Sequence, residues 1–335
     1  MIRITFSFTT LLFVIGAILR TILIISATRW YIIWTGLECN LFSFIPLIIY
    51  NKLFQEKEAA IKYLFAQGVP SGFLLLSIMN NNENIVNSSS IVTILIATKL
   101  GIAPIHFWFP SVINASSWFT CWILCTIQKI GPFILISQIL SPSPIIVYIL
   151  VISSSLIRGI GGINQTCLRP LLAYSSIGHI RWAVATSTIH KDISRVYFIS
   201  YLIIVSTTII FFSYLHMKRN NQISPIKTPY TLNWCIFFSL GRIRGLPPLF
   251  GFFPKIIVLI ILGENNIILI GRILILGSLT NIYYYLKIIF SSIIIFPPSF
   301  FYPRNKQLFF FIYFAIAISF RSIFFSLILF IFFIF

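Results

Sequence analysis

Long continuous apolar runs, cut by short polar or Pro- and Asn-rich segments, set the pattern of this chain. The runs reach twenty residues or more, Leu308–Phe335 being the plainest. A helix of about 20 apolar residues crosses a hydrocarbon core. A closed β-barrel is the other spanning solution, but its strands are segments of about ten residues with alternating polarity. Continuous runs therefore predict helices. The punctuation falls at Asn51–Lys62, Asn80–Ser90, Ser141–Pro144, His216–Tyr230, Glu264–Asn266 and Pro297–Lys306. It predicts an all-α polytopic bundle of about 10–11 transmembrane helices, over 4–27, 30–50, 60–79, 91–109, 118–139, 144–163, 170–188, 194–215, 231–262, 267–293 and 308–335. No loop is long enough for a soluble domain, so residues 1–335 read as a single transmembrane domain. The apolar N-terminus, through Ala27, reads as the first span because it lacks a small-residue cleavage site.

Composition agrees. Hydrophobic residues make up 58% of the chain, charged residues 9% and aromatics 17%. A soluble domain carries about 25% charged residues, and disorder requires low hydrophobicity. The formal charge of +18 would suggest nucleic acid in a soluble chain. Here the basic residues are scattered through apolar runs, which argues against it. Cys39, Cys121, Cys125, Cys167 and Cys235 form no CxxC and no Cys/His cluster, so they read as small buried apolar residues rather than a disulfide or metal site.

Charge inside the bilayer carries the functional argument. An ionised side chain at the centre of a span costs about 2.5–3.5 kcal/mol on insertion scales, so its retention implies a role. Glu38 sits midway along the second span, whereas Glu56, Glu58, Glu83, Asp192 and Glu264 lie at or near the polar connections and read as solvated. Lys99, Lys129 and Lys255 share the situation of Glu38. A buried lysine can be switched between charged and neutral forms by a neighbour that moves or titrates, as a proton relay requires. Each could also be a structural ion pair, or could snorkel to the interface. Gly101 and Pro104 follow Lys99, and Gly245, Pro247, Pro248, Gly251 and Pro254 precede Lys255. Broken backbone at membrane depth is tolerated only where it lines protein or water, and discontinuous helices beside ionisable groups mark transporters. Two discontinuous helices are therefore predicted. His106 and His179 lie inside spans and are possible relay members or hydrogen-bonded packing residues, while His190 and His216 flank loops. The glycines of Gly159–Gly162 follow an apolar helix, so they predict close helix packing rather than a phosphate loop. No nucleotide, flavin or iron–sulfur motif is visible.

Trp34–Pro46 (WTGLECNLFSFIP), Glu58–Gln67 (EAAIKYLFAQ), Lys99–Pro110 (KLGIAPIHFWFP), Gln128–Pro132 (QKIGP), Gly161–Arg169 (GGINQTCLR), Ala173–Trp182 (AYSSIGHIRW) and Gly245–Lys255 (GLPPLFGFFPK) resemble, in order and spacing, the chain 2 family of mitochondrial NADH–ubiquinone oxidoreductase, complex I. The last eighty residues match only as apolar helices. The resemblance implies an antiporter-like subunit of the mitochondrial inner membrane, taking part in proton translocation within the NADH:ubiquinone reductase. It carries no redox centre of its own: NADH, FMN, iron–sulfur clusters and ubiquinone are expected in other subunits. It implies as partners a neighbouring antiporter-like subunit, small hydrophobic and accessory subunits, and lipids such as cardiolipin. It places the relay on Glu38, Lys99, Lys129 and Lys255, with His106 and His179 near the same axis. Glu58 and Lys62 also match, as a structural i,i+4 pair. A stand-alone cation/proton antiporter and a purely structural membrane scaffold are the competing readings.

Departures from the family are informative. Arg158, Arg181, Arg242 and Arg244 stand where small residues are expected, and Pro170 replaces a usual lysine without an evident reason. Arginine is bulky and always charged, which suits a tight helix contact poorly. Methionine numbers only 3 against about 70 isoleucines, far from ordinary usage. Invertebrate mitochondria read AGA and AGG as serine and ATA as methionine. Serine at these positions, with Met for Ile180 and Ile243, restores the family pattern. Genuine arginine is the rival reading.

Overall fold

The computed structural model describes residues 8–79, 85–139, 144–163, 165, 167–214, 238–246 and 249–294. Among them the elements are helices, with no β-sheet. They are α1 (Phe8–Ser26), α2 (Trp30–Ile48), α3 (Phe54–Met79), α4 (Ile85–Leu100), α5 (Trp108–Ala115), α6 (Trp118–Cys125), α7 (Ile127–Ile139), α8 (Pro144–Ile163), α9 (Leu168–Ser187) and α10 (Lys191–Tyr214). A helical stretch over 238–244 follows, then α11 (Phe253–Glu264) and α12 (Ile268–Ile294). Seven helical stretches among the described residues are long and apolar enough to cross a membrane: Phe8–Ser26, Trp30–Ile48, Phe54–Met79, Trp118–Gln138, Ile145–Ile163, Lys191–Tyr214 and Ile268–Leu286. The expected span at 308–335, Cys235, His216 and the prolines 247 and 248 lie outside the described residues.

One helix organises the rest. α9 is buried along nearly its whole length and is packed by α5, α7, α8, α10, α11 and α12. Its mean hydropathy is too low for a lipid-facing span, because serines, a histidine and two arginines interrupt the apolar residues. Protein covers every face of it, so those polar groups are shielded from lipid. The outer helices show the opposite distribution. Leu19 on α1, Phe73 on α3 and Leu276 on α12 project outward among many exposed apolar side chains, forming the greasy exterior expected in a bilayer.

Glycines set the close approaches. Ile24 of α1 lies between Gly36 of α2 and Gly131 of α7; a Cβ at Gly36 would meet Ile24 Cγ1 at 2.8 Å, and one at Gly131 would meet Ile24 Cδ1 at 3.1 Å. This draws together the helices that carry Glu38 and Lys129. Gly161 and Gly162 play the helix-packing role expected of them: the first faces the Tyr174 ring on α9 and the second the Tyr284 ring on α12.

Three expectations are corrected. Asn51–Lys62 is not a charged connection throughout, because α3 begins at Phe54. Glu56 is not solvated: it is buried in the first turn of α3 and accepts the Asn51 backbone N–H at 2.9 Å and Asn51 Nδ2 at 2.7 Å. A carboxylate there also faces the positive end of the helix. Glu56→Ala is therefore expected to lower stability by about 1–3 kcal/mol, because it removes two hydrogen bonds to a charged acceptor that hold the Asn51 turn on α3, measured as earlier thermal dissociation of the detergent-purified complex. Finally, Asn80–Ser90 is helical from residue 85 onward. Glu58 and Lys62 form the expected i,i+4 ion pair, 2.5 Å apart and half exposed.

Candidate functional site

The chain breaks at both predicted places. After Lys99 the helix stops at Gly101, whose φ of +73° favours glycine. The Ala103–Pro104 peptide is cis, and α5 resumes at Trp108. After Arg244 the second break turns at Gly245, φ +69°, and Lys255 lies in the first turn of α11. A third interruption was not expected. Thr126, at φ −114° and ψ −81°, separates α6 from α7, and its Oγ1 donates to Trp122 O at 2.6 Å. Lys129 therefore also follows a break, and no proline or glycine announces it.

Lys99, Lys129 and Lys255 are all buried. Among the described residues no carboxylate lies within ion-pair distance of any of them. Glu38, half-buried at the middle of α2, acts on Lys99 through space, without a direct contact. In a medium of low dielectric such an interaction is still appreciable beyond contact distance.

Lys99 and Lys129 line one cavity, together with Tyr63, Gln67, Trp108, Phe109, Leu124 and Gln128. About 10 Å³ is open there to the centre of a water molecule, close to the minimum that holds one water. The wall is hydrogen-bonded. Tyr63 Oη donates to Gln128 Oε1 at 3.4 Å, Gln128 Nε2 to Asn40 Oδ1 at 3.1 Å, and Gln67 Nε2 to Lys99 O at 3.2 Å. These bonds tie α2, α3 and α7 around the two ammonium groups. Lys129 Nζ sits 3.9 Å from the Phe109 ring centroid, a cation–π contact, and donates to Ser176 Oγ on α9 at 3.2 Å.

One turn along α9 from Ser176, on the same face, is His179. Its Nε2 lies 2.8 Å from Ile243 O, so that nitrogen carries the proton and donates. Nδ1 then accepts from Tyr197 Oη at 3.2 Å. Lys255 Nζ donates to Arg244 O. His179 and Lys255 thus hold neighbouring carbonyls at the end of the broken 238–244 helix, where unsatisfied carbonyls favour positive charge.

His106 is buried, but it bonds Pro104 O at 3.1 Å, packs on Phe107 and Tyr174, and does not line the Lys99–Lys129 cavity. The sequence reading missed Asn40, Tyr63, Gln67, Gln128, Ser176, Tyr197 and Tyr201, the last with its ring centroid 5.9 Å from Lys129 Nζ and its hydroxyl donating to Cys125 O at 2.9 Å. The signal was present in Asn40 and Gln128, which stand beside Glu38 and Lys129, and in Ser176, one helical turn before His179. Cys39, Cys121, Cys125 and Cys167 are free thiols, and the described residues contain no grouping that could hold a metal ion.

Fold and site together define a membrane-embedded, antiporter-type helical bundle with a buried polar axis. Residues 27–280 match the family described as NADH:quinone oxidoreductase/Mrp antiporter, TM. NADH-ubiquinone oxidoreductase chain 2 of Lumbricus terrestris is 35% identical over 274 residues, covering 79% of this chain and 81% of that protein. The Locusta migratoria chain 2 is 36% identical over 268 residues, 76% and 77% of the two chains. The chain belongs to the NADH-ubiquinone oxidoreductase chain 2 family. Among solved structures, respiratory complex I from Thermus thermophilus aligns at a TM-score of 0.80 with 20% identity, covering 93% of this chain and 77% of that one. The Mrp complex from a Dietzia species aligns at 0.76 with 14% identity, covering 86% and 61%. At these identities the two structures testify to the fold alone. The protein is a multi-pass protein of the mitochondrial inner membrane.

Proposed function

We propose that this chain is a membrane-arm subunit of respiratory complex I that moves protons through Glu38, Lys99, Lys129 and Lys255, with His179 between the last two. The observation that carries this reading is the cavity shared by Lys99 and Lys129, sized for one water and walled by hydrogen-bonded glutamines. A water held there would bridge two lysine side chains that no carboxylate among the described residues neutralises by contact. Proton loss from one then favours protonation of the other by relieving like-charge repulsion. Glu38 supplies the control: its charge and position set how strongly Lys99 holds its proton. Ser176, Tyr201 and His179 continue the polar line toward the second break, with Lys255 at its far end. His106 belongs to the scaffold of the first break rather than to the relay.

Redox chemistry occurs in other subunits of the complex, and its energy reaches this chain as a change in charge or conformation near Glu38. Coupling of that kind requires a different interaction free energy in each of two states. Neighbouring antiporter-like and small hydrophobic subunits cover parts of the apolar exterior, and lipid covers the rest.

Glu38→Gln tests the reading. The side chain keeps its shape and loses its charge. Proton translocation by reconstituted complex I is expected to be lost while the complex assembles at parental levels. Unchanged pumping would leave only a scaffold. A stand-alone carrier is separated by a different result, transport by the isolated chain without its neighbours.

A further inference from the structure

Arg158, Arg181 and Arg244 are essentially without solvent contact, at 1%, 0% and 1% exposure. Among the described residues Arg244 leaves Nε, Nη1 and Nη2 without hydrogen-bond partners, and its guanidinium lies 4.9 Å from the Tyr285 ring centroid with Tyr284 nearby. Arg181 makes one bond, Nη2 to Leu274 O at 3.1 Å, and leaves Nε and Nη1 unpaired. Arg158 has Tyr284 as a partner and an unpaired Nε. The charged neighbours are of the wrong sign: Arg158 faces Arg181, and both face Lys255. Among the described residues no carboxylate acts on Arg181 or Arg244. Burying an uncompensated charge is strongly unfavourable, and here three lie together.

The Arg158 guanidinium fills the space over Gly178, and that of Arg181 fills the space over Gly277, so closely that a Cβ at either glycine would overlap them. These are sites where helices meet over small residues. Arg169 differs in its surroundings: its Nε is unpaired too, but it is partly exposed, its Nη1 donates to Ser116 O at 2.7 Å and Asn114 O at 3.4 Å, and its guanidinium lies over the Trp118 ring.

We propose that the protein as synthesised carries serine, not arginine, at positions 158, 181 and 244. AGA and AGG encode arginine in the standard code and serine in some mitochondrial codes, so a single reassignment converts all three. Helical serines in this fold satisfy themselves: Ser154 donates to Val151 O at 2.9 Å, Ser155 to Ile152 O at 2.7 Å, and Ser175 and Ser176 to the carbonyls of Leu172 and Ala173 at 2.7 Å. Serine at 158 or 181 has the same acceptor three residues back, fits over the facing glycine and removes the stranded charge. The excess of isoleucine over methionine, about 70 to 3, is what reading ATA by the same standard code produces. The sequence argument extends the assignment to position 242. The consequence for the polar axis is direct, since His179 and Lys255 would no longer face fixed positive charges that cannot release a proton.

The test is tandem mass spectrometry of this chain isolated from the assembled mitochondrial complex, with chymotryptic peptides spanning residues 149–201 and 238–253. Serine at 158, 181 and 244 is expected, together with loss of tryptic cleavage after each position. Arginine, or any residue other than serine, at any of the three overturns the assignment. The outcome is independent of whether Glu38→Gln abolishes pumping.

Discussion

Replacing Lys129 with methionine is expected to stop proton transfer through this chain while leaving the fold in place. Methionine keeps most of the length and the apolar stem of lysine, so the packing on Phe109 survives. What disappears is the ammonium that lines the cavity shared with Lys99 and donates to Ser176. A positioned proton donor and acceptor contributes typically 10²–10⁴-fold to a transfer step, so its removal should slow that step on the order of 10²-fold or more. Removing a buried charge with no contacting counter-ion should not unfold the chain, since a partner carboxylate is not left stranded. The measurement is proton uptake by proteoliposomes of the assembled variant complex, beside its amount on a native gel. Normal pumping with methionine at 129 would remove this lysine from the path.

The second large effect is structural. Gly162→Val is expected to prevent α8 from seating on α12. A Cβ at Gly162 would meet Tyr284 Cε1 at 2.8 Å, and Tyr284 is itself buried and fixed by its hydroxyl bond to Asn281 at 2.8 Å. Neither side can yield without losing that bond or opening the helix pair. Overpacking a closed contact costs about 1–3 kcal/mol, occasionally more, which is a large fraction of ordinary stability. The readout is a severe fall in assembled complex I, with Gly162→Ala giving a milder form of the same defect. Normal assembly with valine would show that this contact is not needed.

Much of the site was legible in the sequence because charge in an apolar run is costly. Six acids in 335 residues make Glu38 conspicuous, and the glycine and proline clusters beside Lys99 and Lys255 mark breaks that the backbone then makes at Gly101 and Gly245. The break at Thr126 was not legible. At the break the Thr126 hydroxyl bonds a carbonyl four residues back, but Thr186 makes the same bond inside an unbroken helix, so the residue type does not announce it. Glu56 was misread for a related reason: its burial depends on how the Asn51 turn folds over it, not on its distance from an apolar run.

The sequence by itself determined the class of the protein, since transfer of long apolar runs into lipid and the cost of intramembrane charge are local properties of the residues. It also singled out the few ionisable groups, Glu38, Lys99, Lys129 and Lys255, on which the proposed relay rests. Only the tertiary structure decided that Lys99 and Lys129 share one water-sized cavity, that α9 runs through the middle of the bundle with Ser176 and His179 on one face, and that His106 does not line that cavity. Those facts depend on which helices pack together, and side chains far apart in the chain meet only after glycine contacts have set the spacing.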